Sequence, residues 1–457
     1  MLKELFLIGF LLVILAAAAK RPFLFILAYC YVDIVAPQRL SSAILPHMQL
    51  SLVLFALAVG TWLMFDKKRG TRFDLAQGLL TALLLYCLTT TIYAHEPSVA
   101  WDKWSWVWKA LLWSIFLPLT LTTRLRIEAL LLTMVLAAGT LALSGGLKTL
   151  AGGSGYGSLR ILISDNSGLF EGSIFSTVAI ATIPIILWLA RYGTVFRPSR
   201  AVWAFAIFLT LNCLLIPIGT QARTGLLCAA LLVLLGLRET QRRGLYLSII
   251  AGLAVFGAAL APAAFSSRMG TIGDYKSDES ASTRVAVWKW TWNYALDHPL
   301  GGGFNVYVKN RLQVNRVETT VNGSSVSRRI VPYTDQSRAF HNSYFEMLGE
   351  QGFPGLALWL SLQLICLVRM ERLRRRFRGV GGDDGWIRPL AGALQGGQLV
   401  YLLGCMFVGI AFQPYMFMLL AAQIGLWSYA RGKFAQQPWR VVESFAPPGP
   451  TRGFARG

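Results

Sequence analysis

The chain has 457 residues, of which 55% are hydrophobic and only 14% are charged, and its mean hydropathy is +0.52. These values exclude an ordinary soluble globular protein, which carries more charge. The formal net charge of +21 does not indicate a nucleic-acid-binding protein. The basic residues cluster in short turns between apolar runs, which is the pattern of cytoplasmic loops in membrane proteins.

Apolar runs of about 15–25 residues recur along the chain, and each is long enough to cross a hydrocarbon core of ~30 Å as a helix. They predict an all-α polytopic integral membrane protein with about 12 transmembrane helices, because the two short N-terminal runs together make one or two spans. The predicted spans are 4–19, 22–36, 44–64, 74–94, 108–122, 128–149, 172–190, 201–219, 224–237, 245–264, 343–368, 389–411 and 415–430. The Trp-rich stretch 101–108 predicts an interfacial segment.

The basic turns predict the orientation of these spans. Turns at 66–69, 123–126, 191–200, 238–243 and 369–378 are expected to face the cytoplasm. Segments 95–107, 150–170 and 265–342 then lie on the opposite side. We therefore predict N-terminal transmembrane helices in 1–264, a large outer loop that forms a cap over the site in 265–342, C-terminal transmembrane helices in 343–430, and a disordered cytoplasmic tail in 431–457.

The sequence contains no pattern that predicts a metal or nucleotide site. The six cysteines all lie in apolar runs without metal-ligand spacing, which predicts buried thiols. No HExxH, Walker or Rossmann glycine pattern occurs. Asp165 and Glu171 are too far apart in sequence to argue for a site. We predict no metal and no cofactor.

Three ionisable residues at predicted outer membrane edges are candidates for chemistry. Arg223, with Gln221 beside it, follows a span; Arg284 lies in the outer loop; and His341, between Arg338 and Asn342, precedes the next span. Structural alternatives exist for each: an arginine reaching the head groups, a solvated loop arginine, and a histidine that caps a helix. Imidazole is nevertheless the side chain best suited to accept a proton near neutral pH.

The order of these motifs resembles the O-antigen ligase and polymerase superfamily of bacterial envelope proteins. The resemblance covers about 205–360 and rests on four stretches: Arg-Thr-Gly at 223–225, His-Pro-Leu-Gly-Gly-Gly-Phe at 298–304, His-Asn-Ser-Tyr at 341–344 and Gly-Glu-Gln-Gly-Phe-Pro-Gly at 349–355. The segments 31–33 and 36–40 are similar to the O-glycosylation ligases of that superfamily.

The resemblance implies a metal-independent, inverting glycosyltransferase of the GT-C type in a bacterial inner membrane, with a periplasmic active site. Its donor would be a glycan linked to undecaprenyl pyrophosphate, and the acceptor a hydroxyl of lipid A–core, as in lipopolysaccharide biosynthesis. The family's functional residues carry over onto His341 as the catalytic base and onto Arg223 and Arg284 as pyrophosphate ligands. Gln221, Arg338 and Asn342 are expected to support them.

Alternatives to an O-antigen ligase remain open at this point. A protein O-oligosaccharyltransferase or a glycan polymerase would use the same chemistry on a different hydroxyl. A transporter of lipid-linked glycans would need no chemistry and would be expected to show charged residues in mid-span and internal repeats, neither of which is clear in the sequence. A membrane scaffold would not explain the polar residues clustered on the outer face.

Overall fold

A computed structural model describes residues 2–40, 44–68, 70–152, 169, 171–239, 242–244, 246–248, 250–252, 279–322 and 325–436. Most of these residues are helical. The helices are α1 (Leu2–Lys20), α2 (Phe23–Val35), α3 (Pro37–Leu40), α4 (Leu50–Phe65), α5 (Leu75–Ile92), α6 (Pro97–Thr120), α7 (Arg124–Leu150), α8 (Gly172–Tyr192), α9 (Arg200–Thr220), α10 (Arg223–Glu239), α11 (Glu279–Asp297), α12 (Ser343–Arg376), α13 (Ile387–Cys405) and α14 (Pro414–Gln436).

Apolar composition and length single out five helices as membrane spans within the described residues. These are α5, α7, α8, α9 and α12, while α2 and α4 are apolar but shorter. The prediction of an all-α membrane protein is confirmed at this level. The number of about 12 spans and the GT-C type stay predictions.

The predicted outer loop is not entirely helical. Strand β1 (Arg311–Asn322) pairs antiparallel with β2 (Ser325–Gln336), with Arg311 opposite Gln336. β-branched residues recur along both strands in the sequence and favour extended backbone. The structure thus adds a two-stranded sheet to the predicted all-α architecture, in a segment for which the sequence predicts only a polar loop.

The bundle has two ends, and the basic turns meet at one of them. Arg126 Nη2 lies 2.5 Å from Asp66 Oδ2, and Arg238 Nη2 lies 3.1 Å from Glu371 Oε1. Arg124 donates from Nη2 to the carbonyl of Tyr192 at 2.8 Å. The turns that the sequence assigns to one side of the membrane thus contact one another.

The structure changes the predictions for the Trp-rich stretch and for the C-terminal tail in detail. Other predicted segments lie outside the described residues. The Trp-rich stretch 101–108 is not a separate segment, because it lies in the first half of α6 and continues into the predicted span at 108–122. All six cysteines are buried and free, which confirms the prediction of buried thiols. The predicted tail overlaps the end of α14 as far as Gln436. Residues 437–457, 153–168 and most of the predicted span at 245–264 lie outside the described residues, as do 265–278.

Candidate functional site

The site forms where α12 begins, immediately after His341. Asn342 is the N-cap of α12, and its Oδ1 accepts hydrogen bonds from the backbone of Tyr344 at 2.9 Å and Phe345 at 3.2 Å. This satisfies two of the N–H groups that a helix start leaves without partners. The residue that caps this helix is therefore Asn342, and not His341.

The start of α12 is fixed against the turn between α13 and α14. Asn342 Nδ2 donates to the carbonyl of Met406 at 2.9 Å. The Ser343 hydroxyl donates to the carbonyl of Val408 and accepts from the backbone N–H of Ile410, both at 2.8 Å. These bonds hold the backbone next to His341 in a defined position.

A kink in α12 receives the glycine-rich loop that follows α11. Gly352 has φ +63° and ψ −168°, which interrupts the helix. The N–H groups of Gly302 and Gly303 donate to the carbonyls of Gly349 and Glu350 at 3.0 and 2.9 Å. Two motifs that are about 50 residues apart in the sequence therefore pack directly against each other.

His341 lies on the rim of a cavity at this end of the bundle. Its φ of +47° is left-handed, a conformation that non-glycine residues adopt only where surrounding contacts determine it. One such contact is the hydrogen bond from Trp288 Nε1 to the carbonyl of Phe340 at 2.9 Å. The cavity has a volume of about 310 Å³ and is lined by residues of α6, α12 and the turns at 305–307, 339–341 and 408–413.

Three charged side chains act on the His341 imidazole. The side chain is exposed, but enough protein surrounds the ring that loss of hydration lowers its pKa below the ordinary value. Arg284 lowers this pKa further, Glu171 opposes the shift, and Arg338 adds a smaller lowering effect. The imidazole is thus favoured in its neutral form, which is the form that accepts a proton.

The two arginines near His341 are held differently. Arg284 lies on α11, and among the described residues its buried Nε has no hydrogen-bond partner. Arg338 is half exposed and its Nε pairs with Asp335. Its backbone is held by Asn310, whose Oδ1 accepts from the Arg338 N–H at 3.0 Å and whose Nδ2 donates to the Arg338 carbonyl at 2.7 Å. Both arginines belong to the predicted outer loop, and the positive charge of each lowers the pKa of His341.

Arg223 is at the same end of the bundle but is not among the described residues that line the cavity. It begins α10 directly after the turn at Gln221, which has φ +53° and ends α9. Thr220 is hydrogen-bonded to Ser176 of α8 at 2.9 Å between the two hydroxyl oxygens. A Cβ on Gly172, the neighbour of Glu171, would lie 3.0 Å from Thr220. The end of α9 before Gln221 thus packs against the start of α8, where Glu171 lines the cavity.

Sequence reasoning missed a buried ion cluster in the cavity wall. Lys103 Nζ lies 2.6 Å from Glu346 Oε1 and 2.8 Å from both carboxylate oxygens of Glu350. Glu346 also accepts from the backbone of Ala411 at 3.1 Å, and Glu350 from that of Asn305 at 2.9 Å. The i,i+4 spacing of Glu346 and Glu350 in the first turns of α12 was the available signal, since it places both on one helix face.

Glu171 was also missed, because only its sequence distance from Asp165 was considered. It is the N-cap of α8, accepts from the Ile174 N–H at 3.0 Å, and lines the cavity. Among the described residues, no group of three His, Cys, Asp or Glu side chains could hold a metal ion, and metal independence stays a prediction.

Comparison with protein families assigns the part of the chain that carries the three candidate residues for chemistry. Residues 206–360, which include Arg223, Arg284 and His341, match the family described as O-antigen ligase. Residues 206–360 thus form a domain of the O-antigen ligase family. Residues 2–194 match a family of unknown function (DUF5935). No curated protein matches the sequence.

This domain match confirms the resemblance predicted for 205–360. It supports an enzyme of the ligase and polymerase type. The N-terminal resemblance to O-glycosylation ligases stays a prediction, since the family matched there has no assigned function. The roles of the individual site residues also stay predictions.

Proposed function

We propose that the protein is an O-antigen ligase of a bacterial inner membrane that transfers a glycan from undecaprenyl pyrophosphate to a hydroxyl of lipid A–core on the periplasmic face. The observation that carries the proposal is the position of His341, at a cavity rim with Arg284 and Arg338 acting on the same imidazole. A base with guanidinium groups in its surroundings suits a transfer that releases pyrophosphate.

The reaction forms one bond and breaks one at the anomeric carbon. The acceptor hydroxyl attacks that carbon while its proton passes to a ring nitrogen of His341. The bond from the carbon to the pyrophosphate oxygen breaks, and its electron pair leaves with undecaprenyl pyrophosphate. Displacement from the opposite side inverts the anomeric configuration.

The negative charge of the leaving pyrophosphate has to be stabilised. In a metal-independent reaction, positively charged side chains supply this stabilisation. Guanidinium groups bind phosphate oxygens in a bidentate way and stay charged at any physiological pH. We assign this role to Arg284 and Arg223, with Arg338 in support. Removal of one such donor in other enzymes costs roughly 10²–10³ in rate. Asn342 and Gln221 contribute by fixing helix ends, not by contact with substrate.

Reconstitution tests the proposal and its alternatives together. The purified protein would be given an undecaprenyl-pyrophosphate-linked oligosaccharide with lipid A–core, a serine-containing peptide or a second glycan, each with and without EDTA. We expect the glycan to appear on lipid A–core at a rate that EDTA leaves unchanged. Transfer only to peptide or glycan would make the protein an oligosaccharyltransferase or a polymerase. Absence of any covalent product would favour a transporter, and loss of activity in EDTA would contradict metal independence.

A further inference from the structure

The walls of the cavity carry mostly negative charge, although the reaction proposed above releases a polyanion. Among the described residues, four carboxylates line it: Asp102, Glu171, Glu346 and Glu350. The one ammonium group among these described lining residues is that of Lys103, which is held between two of the glutamates. The lining therefore repels phosphate.

Two guanidinium groups near His341 lie outside the described lining of the cavity. Arg284 and Arg338 both act on the imidazole, but neither belongs to the described lining of the cavity. His341 thus stands at a boundary between a region of guanidinium groups and a region of carboxylates. Such a division suits a transfer reaction, because the leaving pyrophosphate is anionic and the attacking hydroxyl is a neutral hydrogen-bond donor.

The carboxylate side also has groups that suit a hydroxyl-rich ligand. The indole of Trp106 is 40% exposed and lines the cavity together with the half-buried ring of Tyr307. Aromatic faces such as these offer apolar surface to the C–H groups of a sugar ring, and the phenol adds a hydrogen-bonding group. Carboxylates accept hydrogen bonds from its hydroxyl groups.

Asp102 is the carboxylate that is available to a ligand. Glu346 and Glu350 are engaged by Lys103 and backbone N–H groups, and Glu171 caps α8. Asp102 is exposed, and within the described part of the chain its carboxylate has no ion pair or hydrogen bond.

We propose that the cavity lined by Asp102 and Trp106 is the acceptor subsite, and that it selects an acceptor whose reacting end is an unphosphorylated hydroxyl compound. The proposal rests on the transferase function proposed above. It places the donor pyrophosphate on the arginine side of His341 and the acceptor sugar or side chain on the carboxylate side. An acceptor with phosphate next to its reacting hydroxyl would be repelled by the lining carboxylates.

Matched acceptors test this proposal. The purified protein would receive the same lipid-linked oligosaccharide with a neutral saccharide acceptor or with its phosphate monoester, and with a serine peptide that has neutral or acidic flanking residues. In the pair that reacts, we expect wild type to favour the neutral member by roughly 10-fold in kcat/KM, because each nearby carboxylate repels the added charge. Asp102→Lys should reduce this preference and leave the donor KM unchanged, and Trp106→Ala should raise the acceptor KM alone.

Asp297→Lys is the matched control, since Asp297 is exposed at the end of α11 and does not line the cavity. It should behave like wild type. Equal use of both members by wild type, or equal effects of Asp102→Lys and Asp297→Lys, would overturn the acceptor subsite while leaving the transferase function intact. Failure of wild type with both pairs of acceptors would contradict the transferase function itself, and the subsite would fall with it.

Discussion

At the scale of single residues, the sequence singles out His341 as a candidate base, but it does not predict all the charged groups around the imidazole. A histidine that opens a predicted span after a long polar loop is visible in the sequence. The charges that act on it come from Arg284 on α11, Glu171 before α8 and Arg338 after β2. Only the folded chain brings together groups so far apart, so the sequence predicts the base and two of its neighbours but not Glu171.

The pH dependence of transfer tests the electrostatics around His341. Partial burial and Arg284 lower its pKa, so the imidazole stays neutral until the pH falls below the ordinary histidine value of about 6.5. Activity should therefore be retained at neutral pH and lost as the pH falls through this lowered pKa. Glu171→Gln removes a charge that raises the pKa, so the acid limb of kcat/KM should move to lower pH. Arg338→Gln should move it to higher pH, and identical limbs in all three proteins would contradict the electrostatic assignment.

At the scale of elements, the helix starts could be predicted more closely than the contacts between them. The predicted span at 343–368 begins where α12 begins, but the cap is Asn342 and not His341, which the sequence analysis had considered for this role. The kink at Gly352 was not predicted, because a single glycine within an apolar run is compatible with a continuous helix. The hairpin at 311–336 was not predicted, because the segment has the polar composition of a loop. The docking of the glycine-rich loop on this kink is a long-range contact that no local pattern encodes.

Gly352→Ala should destabilise the protein through this contact. The φ and ψ of Gly352 lie in a region that is essentially restricted to glycine, and an added Cβ would lie 2.2 Å from the carbonyl oxygen of Pro299. Such backbone strain costs about 1–3 kcal/mol, so the thermal unfolding midpoint should fall. Gly381→Ala is the control, because no atom of the described residues lies within 4 Å of its added Cβ. Equal midpoints for the two variants would contradict the packing described for the kink.

Lys103→Met should also destabilise the protein, because it leaves Glu346 and Glu350 buried without their cation. Removal of one partner from a buried ion cluster costs roughly 3–5 kcal/mol. The variant in which both glutamates are also changed to Gln should recover part of the loss. Lys289→Met, at an exposed position on α11, is the control for loss of one positive charge. A thermal unfolding midpoint for Lys103→Met that equals this control would show that the cluster does not join α6 to α12.

At the scale of the whole molecule, hydropathy and the basic turns predict a polytopic helical protein, and the packing of those turns at one end agrees with it. The cavity with His341 lies at the opposite end. The side of the membrane that each end faces follows from the positive-inside pattern alone. The number of spans depends on whether short apolar helices such as α2 and α4 cross the membrane, and their length and composition do not decide this.

Cysteine labelling tests this orientation against a low background, since all six native cysteines are buried. Tyr93 at the cavity end is 78% exposed, and Val380 at the basic end is 43% exposed. A membrane-impermeant maleimide applied to spheroplasts should label Tyr93→Cys at once and Val380→Cys only after lysis. The reverse order would place the cavity in the cytoplasm and exclude a periplasmic reaction.

The central claim is that His341 takes the proton of the acceptor hydroxyl, and the initial rate of glycan transfer by purified His341 variants tests it most directly. His341→Ala removes the base, and His341→Asn removes it with a residue that tolerates the left-handed backbone. We predict that both lose roughly 10²–10⁴ in rate, while the unfolding midpoint of His341→Asn stays at the wild-type value. A transfer rate within a few-fold of wild type in either variant would contradict the role of His341 as the base.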